Sequence, residues 1–278
     1  MQAYLEDIVK QFAKPGFRRV GNTHWNQCMQ DIEQEIKSLG FSPKVQVWQN
    51  ESGIECKNFI VSIEGKNPET YILGGHYDTY EETPGADDNA SAVAVLLGVL
   101  KQLDKQKTLD YTWEIVFYSS EEPPYFGGPD MGSFKHASTV DKSLIKCMIC
   151  LEMVGYFSEE AKSQDYPFFP LRWIYGNRGN FLLGVSNATS RKEGKKIMEV
   201  LQQRNKNFYK KLFLPFNFSG LDWSDHRNYW AIGIPALMIT DTAMFRNKNY
   251  HQAEDTFDTL NYAKMSLLVK DLVFLMEN

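Results

Sequence analysis

Apolar residues fall at two different periods along this chain. Trp25, Met29, Ile32, Ile36 and Leu39 recur at helical spacing, and Gly40 then stops the run, which predicts an amphipathic packing helix. Val93, Leu96, Leu97 and Leu100 mark a second helical stripe, set between β-rich runs at 71–75 and 113–118. Other β-rich runs lie at 44–48, 59–63, 146–153 and 234–240, with helical patterns near 191–205 and 262–276. Strand, helix, strand implies a crossover unit, so the pattern predicts one α/β domain over 1–278 with a mixed, largely parallel sheet. Two stretches fit poorly: 157–180, with Tyr166, Phe168, Phe169, Trp173 and Tyr175, and 207–223, with Phe208, Tyr209, Phe213, Phe216, Phe218 and Trp223. Both read as inserted aromatic loops that either cover a sheet edge or dimer contact, or wall a pocket for apolar side chains.

Composition narrows the function classes. A length of 278 residues with 43% hydrophobic content supports a large core. Acidic residues number 35 against 30 basic ones, for a net charge of -5, and the bases are scattered, so no nucleic-acid footprint is present. No run of eighteen apolar residues predicts a membrane span, and the N-terminal residues lack a basic segment followed by a long apolar one. A cytoplasmic protein is therefore expected, or an exported one if a leader has been removed. The four cysteines are too sparse for a disulfide framework, and Cys147 and Cys150 sit in an apolar run that reads as a buried strand.

The chemistry gathers where predicted strands end, and open α/β sheets place their sites outside the carboxyl ends of strands. His76 ends the first such strand, with Asp78 two residues on, placed to accept the other ring proton of a ligating imidazole. The turn 84–91, Pro-Gly-Ala-Asp-Asp-Asn-Ala-Ser, opens into the Val93 helix; Asp87 and Asn89 suit helix capping, and Asp88 is placed to bridge two cations. Glu121 and Glu122 follow an apolar run and stop at Pro123 and Pro124. Glu152 ends the cysteine strand, where an unpaired carboxylate would be costly without a partner cation. His251 comes last, with an acidic flank at Glu254 and Asp255.

Two imidazoles and three carboxylates make a mixed nitrogen and oxygen set suited to two Zn2+, with Co2+ or Mn2+ as substitutes. A shared carboxylate gives each metal one His, one unshared acid and the bridge. Glu121 is then uncommitted, and it is the natural general base.

The ordered series His76-x-Asp78, Pro84-Gly-Ala-Asp-Asp88, Glu121-Glu122, Glu152 after a strand, Ser224-Asp225-His226 and Tyr250-His251 resembles the di-zinc exopeptidases. That family includes bacterial leucyl aminopeptidases and glutamate carboxypeptidases, with glutaminyl cyclases and the transferrin-receptor ectodomain as relatives. The resemblance runs from about Phe59 to the C-terminus and implies a three-layer α/β/α zinc-exopeptidase (phosphorylase/hydrolase-like) fold. It also implies that Asp88 bridges, that His76 and Glu152 hold one zinc and Glu122 and His251 the other, and that Glu121 is the base. Asp78, Asp225 and His226 correspond to residues behind the ligands, Tyr250 to a tyrosine that steadies an oxyanion, and Asp88-Asn89 to a cis peptide. For Asp225 and His226 a local hydrogen-bond pair is the equal alternative. The implied activity is hydrolysis of a terminal peptide bond, as an aminopeptidase because accessory domains are lacking. Glu152, where many of those aminopeptidases carry Asp, keeps a carboxypeptidase or dipeptidase open. A one-zinc glutaminyl cyclase and a non-catalytic interaction domain are the rival classes. The expected partner is a peptide with an apolar terminal residue; oligomeric state is open.

Overall fold

Side-chain alternation along the strands builds the layers. Leu73, Ile115, Phe117, Ile149 and Leu151 join one buried cluster, while their chain neighbours Ile72, Val116, Tyr118, Met148 and Cys150 join a second, because successive strand residues face opposite sides of a sheet. The computed structural model describes residues 1–214 and 220–278. Its strands are β1 (Lys44–Gln49), β2 (Glu55–Ile63), β3 (Gly65–His76), β4 (Leu109–Tyr118), β5 (Ile145–Glu152), β6 (Leu182–Ser186), β7 (Tyr209–Phe213) and β8 (Ala236–Thr240). They form one sheet in the order β1-β2-β4-β3-β5-β8-β6-β7.

On the first face pack α1 (Gln2–Phe12), α2 (Trp25–Ser38), α3 (Ala92–Gln102), α6 (Arg191–Arg204) and α8 (Tyr262–Glu277). The short α4 (Gly132–Ala137) and α7 (His226–Ala231) serve the second face through Ala137 and Tyr229. This is a three-layer α/β/α domain with a mixed sheet. The central β4-β3-β5-β8 pairings are all parallel, so four strands deliver their carboxyl ends to one edge. All four cysteines are buried and unpaired, Cys147 and Cys150 on opposite faces of β5. No helix among the described residues is long and apolar enough to cross a membrane.

Several elements depart from the pattern reading. Residues 207–223 are not simply an inserted loop: β7 lies within them, pairs in parallel with β6, and turns Tyr209 into the core, where its hydroxyl donates to Asp271 of α8 at 2.9 Å. Stretch 157–180 contains α5 (Leu171–Tyr175), which leaves Trp173 75% exposed. Phe216 and Phe218 lie outside the described residues.

Candidate metal and catalytic centre

His76 is the last residue of β3, Glu121 and Glu122 follow β4 by a few residues, and Glu152 is the last residue of β5. Parallel register between these strands therefore brings three separated sequence segments to one place. Asp88 comes from the kinked turn Ala86–Ser91 ahead of α3, where the Asp88-Asn89 peptide is cis. His251 arrives from the loop beyond β8, with its backbone in the left-handed region at φ 57°.

Asp88 faces both imidazoles. One carboxylate oxygen lies 3.5 Å from Nε2 of His76, and the other 3.1 Å from Nε2 of His251. Oε2 of Glu152 is 3.4 Å from the same His76 nitrogen, and Oε1 of Glu122 is 3.2 Å from the His251 nitrogen. Oε2 of Glu121 stands further from His76, at 3.9 Å. One ligand atom each from His76, Asp88 and Glu122 lies within 4.8 Å of the others.

The electrostatics show what this centre lacks. Glu121, Glu122 and Glu152 are all buried, and burial raises each carboxyl above its ordinary range, Glu122 to about 8 with repulsion from Asp88 adding to it. Burial opposes ionisation of Asp88 too, but the His251 and His76 imidazoles outweigh it and lower its pKa. Burial favours neutral His76 and His251; the acids around them prevail, raising His251 to about 10 and His76 well above its usual value. A packed group of acids held by only two imidazoles is short of positive charge, which a dication would supply.

Spacing fits the same conclusion. Nitrogen and oxygen ligands about 2.0–2.1 Å from zinc stand about 3.3 Å from one another in a tetrahedron. The 3.1–3.5 Å contacts between proposed ligand atoms match that edge.

The supporting residues are only partly those expected. Asp78 Oδ1 lies 3.6 Å from Nδ1 of His76, beyond hydrogen-bond range, and among the described residues Nδ1 has no hydrogen-bond partner. The Asp78 oxygens instead accept the backbone N–H groups of Glu121 and Glu122, both at 3.0 Å. Asp225 is fully buried, and burial raises it to about 7 despite the opposing field of His76. His226 does not pair with it: Nε2 meets the Leu221 carbonyl at 2.6 Å, and the ring sits edge-on to Trp230. Tyr250 stacks on His251 at 3.8 Å, its phenol raised by burial and by Asp88 and Glu122, and its hydroxyl makes no hydrogen bond among the described residues.

Three further residues support the centre, of which Arg18 stands outside every motif quoted above. Asp255 accepts the backbone N–H groups of Asp87 and Asp88 at 2.9 and 3.1 Å, mirroring Asp78. Ser224 donates to Glu152 at 2.6 Å. Arg18, fully buried, donates to the carbonyls of Phe12, Tyr77, Pro84 and Gly85, tying the turn before Asp88 to the N-terminal segment. The only signal for Asp255 was the acidic flank of His251.

Known proteins resemble this chain at both levels. The uncharacterized protein YfbL of Escherichia coli (strain K12) is 39% identical over 235 residues, spanning 82% of this chain and 72% of that protein. A protein named probable leucine aminopeptidase from Trichophyton verrucosum (strain HKI 0517) is 24% identical over 257 residues; the match covers 86% of this chain but only 61% of that protein. Among solved structures, the glutaminyl cyclase of Porphyromonas gingivalis superposes with a TM-score of 0.74 at 18% identity, covering 99% of this chain and 97% of that one. A Zn-dependent exopeptidase from Parabacteroides distasonis ATCC 8503 gives 0.72 at 17% identity, covering 100% and 98%. At such identities the superpositions establish the fold. The family itself is fixed by sequence: the model of Peptidase family M28 matches residues 58–273, from the middle of β2 almost to the end of α8, and the chain belongs to that family.

Proposed function

We propose that this peptidase is a zinc-dependent aminopeptidase with two metal ions, removing an N-terminal residue, of apolar character, from peptides. The observation that carries the reading is the two-sided position of Asp88, one oxygen toward each imidazole. His76 and Glu152 would hold one ion and His251 and Glu122 the other, with Asp88 shared between them. Zinc at these residues would supply a more acidic water and Lewis-acid polarisation of the scissile carbonyl.

The chain's own groups account for the proton transfers. Glu121 accepts a proton from the attacking water as its oxygen bonds to the carbonyl carbon, then delivers that proton to the amine nitrogen as the carbon–nitrogen bond breaks. Burial favours its protonated form, so it releases the proton readily only while positive charge stands nearby. Such a base contributes ~10²–10⁴-fold in rate. The free Tyr250 hydroxyl is available to donate to the carbonyl oxygen as negative charge develops there.

A second reading, one-zinc cyclisation of N-terminal glutamine, draws support from the fold shared with glutaminyl cyclases. A panel of free and amino-blocked amino-acid anilides, assayed with and without chelator, tests the first reading. Cleavage of unblocked substrates alone, abolished by chelator and restored by zinc, is expected. Cleavage from the carboxyl end, or ammonia release from N-terminal glutamine without hydrolysis, would overturn it.

A further inference from the structure

We infer that Tyr80 is a positioning residue for His251, fixing by ring stacking an imidazole that no hydrogen bond behind it holds. The inference rests on the reading of His251 as a zinc ligand. Metal-binding histidines almost always donate their second ring N–H to a carboxylate, carbonyl or water, which sets the plane of the ring. Among the described residues, no hydrogen bond or ion pair reaches Nδ1 of His251; its contacts to Asp88 and Glu122 both run through Nε2.

The side chain of His251 is also more open than that of His76, 20% against 1% exposed. Its backbone adds a constraint of its own, since a left-handed φ of 57° is unfavourable for a residue with a Cβ. Neither burial nor backbone preference therefore locks the ring.

Aromatic contact does. The Tyr80 ring lies 4.2 Å from the His251 ring, with 4° between their planes. Tyr250 adds a second stacked ring at 3.8 Å and 21°. Tyr250 is the chain neighbour of His251 and moves with it, whereas Tyr80 belongs to the loop leaving β3, four residues past His76. That loop, which directly follows one proposed ligand at the end of β3, thus steadies another from the far end of the chain. An electron-rich phenol face also favours an imidazole made more positive by a metal. The Tyr80 hydroxyl makes no hydrogen bond among the described residues, so the ring alone carries the effect.

The test measures zinc retention. Full-length protein is loaded with Zn2+ alone and equilibrated against graded chelator, for wild type and for Tyr80→Phe, Tyr80→Leu and Tyr80→Ala. Wild type and Tyr80→Phe are expected to agree within about twofold, while Leu and Ala variants release one of their ions about tenfold more readily, the usual cost of losing an outer support. Retention by Tyr80→Leu equal to wild type overturns the inference, as does equal loss in Tyr80→Phe. Failure of wild type to bind zinc at all refutes the proposed function instead, and the inference with it.

Discussion

Asp78 holds Glu121 by the backbone: one of its carboxylate oxygens accepts the Glu121 N–H at 3.0 Å, while the other accepts that of Glu122 at the same distance. Two adjacent acids with different proposed tasks are thereby fixed relative to each other before either side chain is considered. Charge-assisted bonds of this kind are among the stronger ones available.

Asp78→Asn breaks that symmetry. An amide offers one acceptor and turns a donor toward the other N–H, leaving it unsatisfied in a buried place. We expect kcat to fall by about 10–100-fold, as for other supports behind a metal site, with the fold retained. Steady-state kinetics beside a thermal melt decide it; unchanged kcat would remove Asp78 from the positioning role.

The adjacent acids themselves predict opposite outcomes. Glu121→Gln should lower kcat by about 10²–10⁴-fold while both zinc ions stay bound. Glu122→Gln, whose partner is His251 at 3.2 Å, should lose one ion. Metal analysis of the two purified variants separates the roles, and loss of metal from Glu121→Gln would reverse the assignment.

Much of this centre was legible because His76, Glu122 and Glu152 each close a short local pattern, an apolar run and then a polar group at or just past the strand end, while Asp88 stands in a turn rich in Gly, Asp and Asn. Asp255 and Tyr80 were not, since Asp255 meets Asp88 across most of the chain and Tyr80 meets His251 likewise. Nothing within a few residues of either one signals its partner. The strand β7 hid for a different reason: Lys210 and Lys211 interrupt its five residues, and half-buried lysines on an edge strand erase the alternation. Helix α1 did carry a signal, for Leu5, Ile8, Val9 and Phe12 repeat at helical spacing and are buried.

Gly132 is required by the ground beneath Glu121. A Cβ there would stand 2.2 Å from Oδ1 of Asn58 and 2.6 Å from the Ser119 nitrogen. Asn58 cannot yield cheaply, because it accepts the Ser119 N–H and donates to the Gly132 carbonyl and Gln46. Gly132→Ala should destabilise by about 1–3 kcal/mol, the usual range for overpacking. Urea unfolding measures this, and a midpoint equal to wild type would contradict the packing argument.

His226 sets a pH dependence separable from the metal centre. Its ring is fully buried against Leu221 and Trp230, and burial lowers its pKa from 6.5 to about 4, with Asp222 and the Leu221 carbonyl opposing and Arg227 assisting. The unfolded chain takes up a proton below pH 6.5, while the folded chain resists doing so until about pH 4. The contribution to stability is therefore complete above pH 6.5 and lost as pH falls from 6.5 toward 4, amounting to about 3 kcal/mol across that window. His226→Gln keeps a donor for the Leu221 carbonyl but does not titrate. Unfolding both proteins in urea with excess chelator, at intervals from pH 7 to 4.5, should give a steeper loss for wild type. Parallel curves would mean that the imidazole is already protonated, or solvated, in the folded chain.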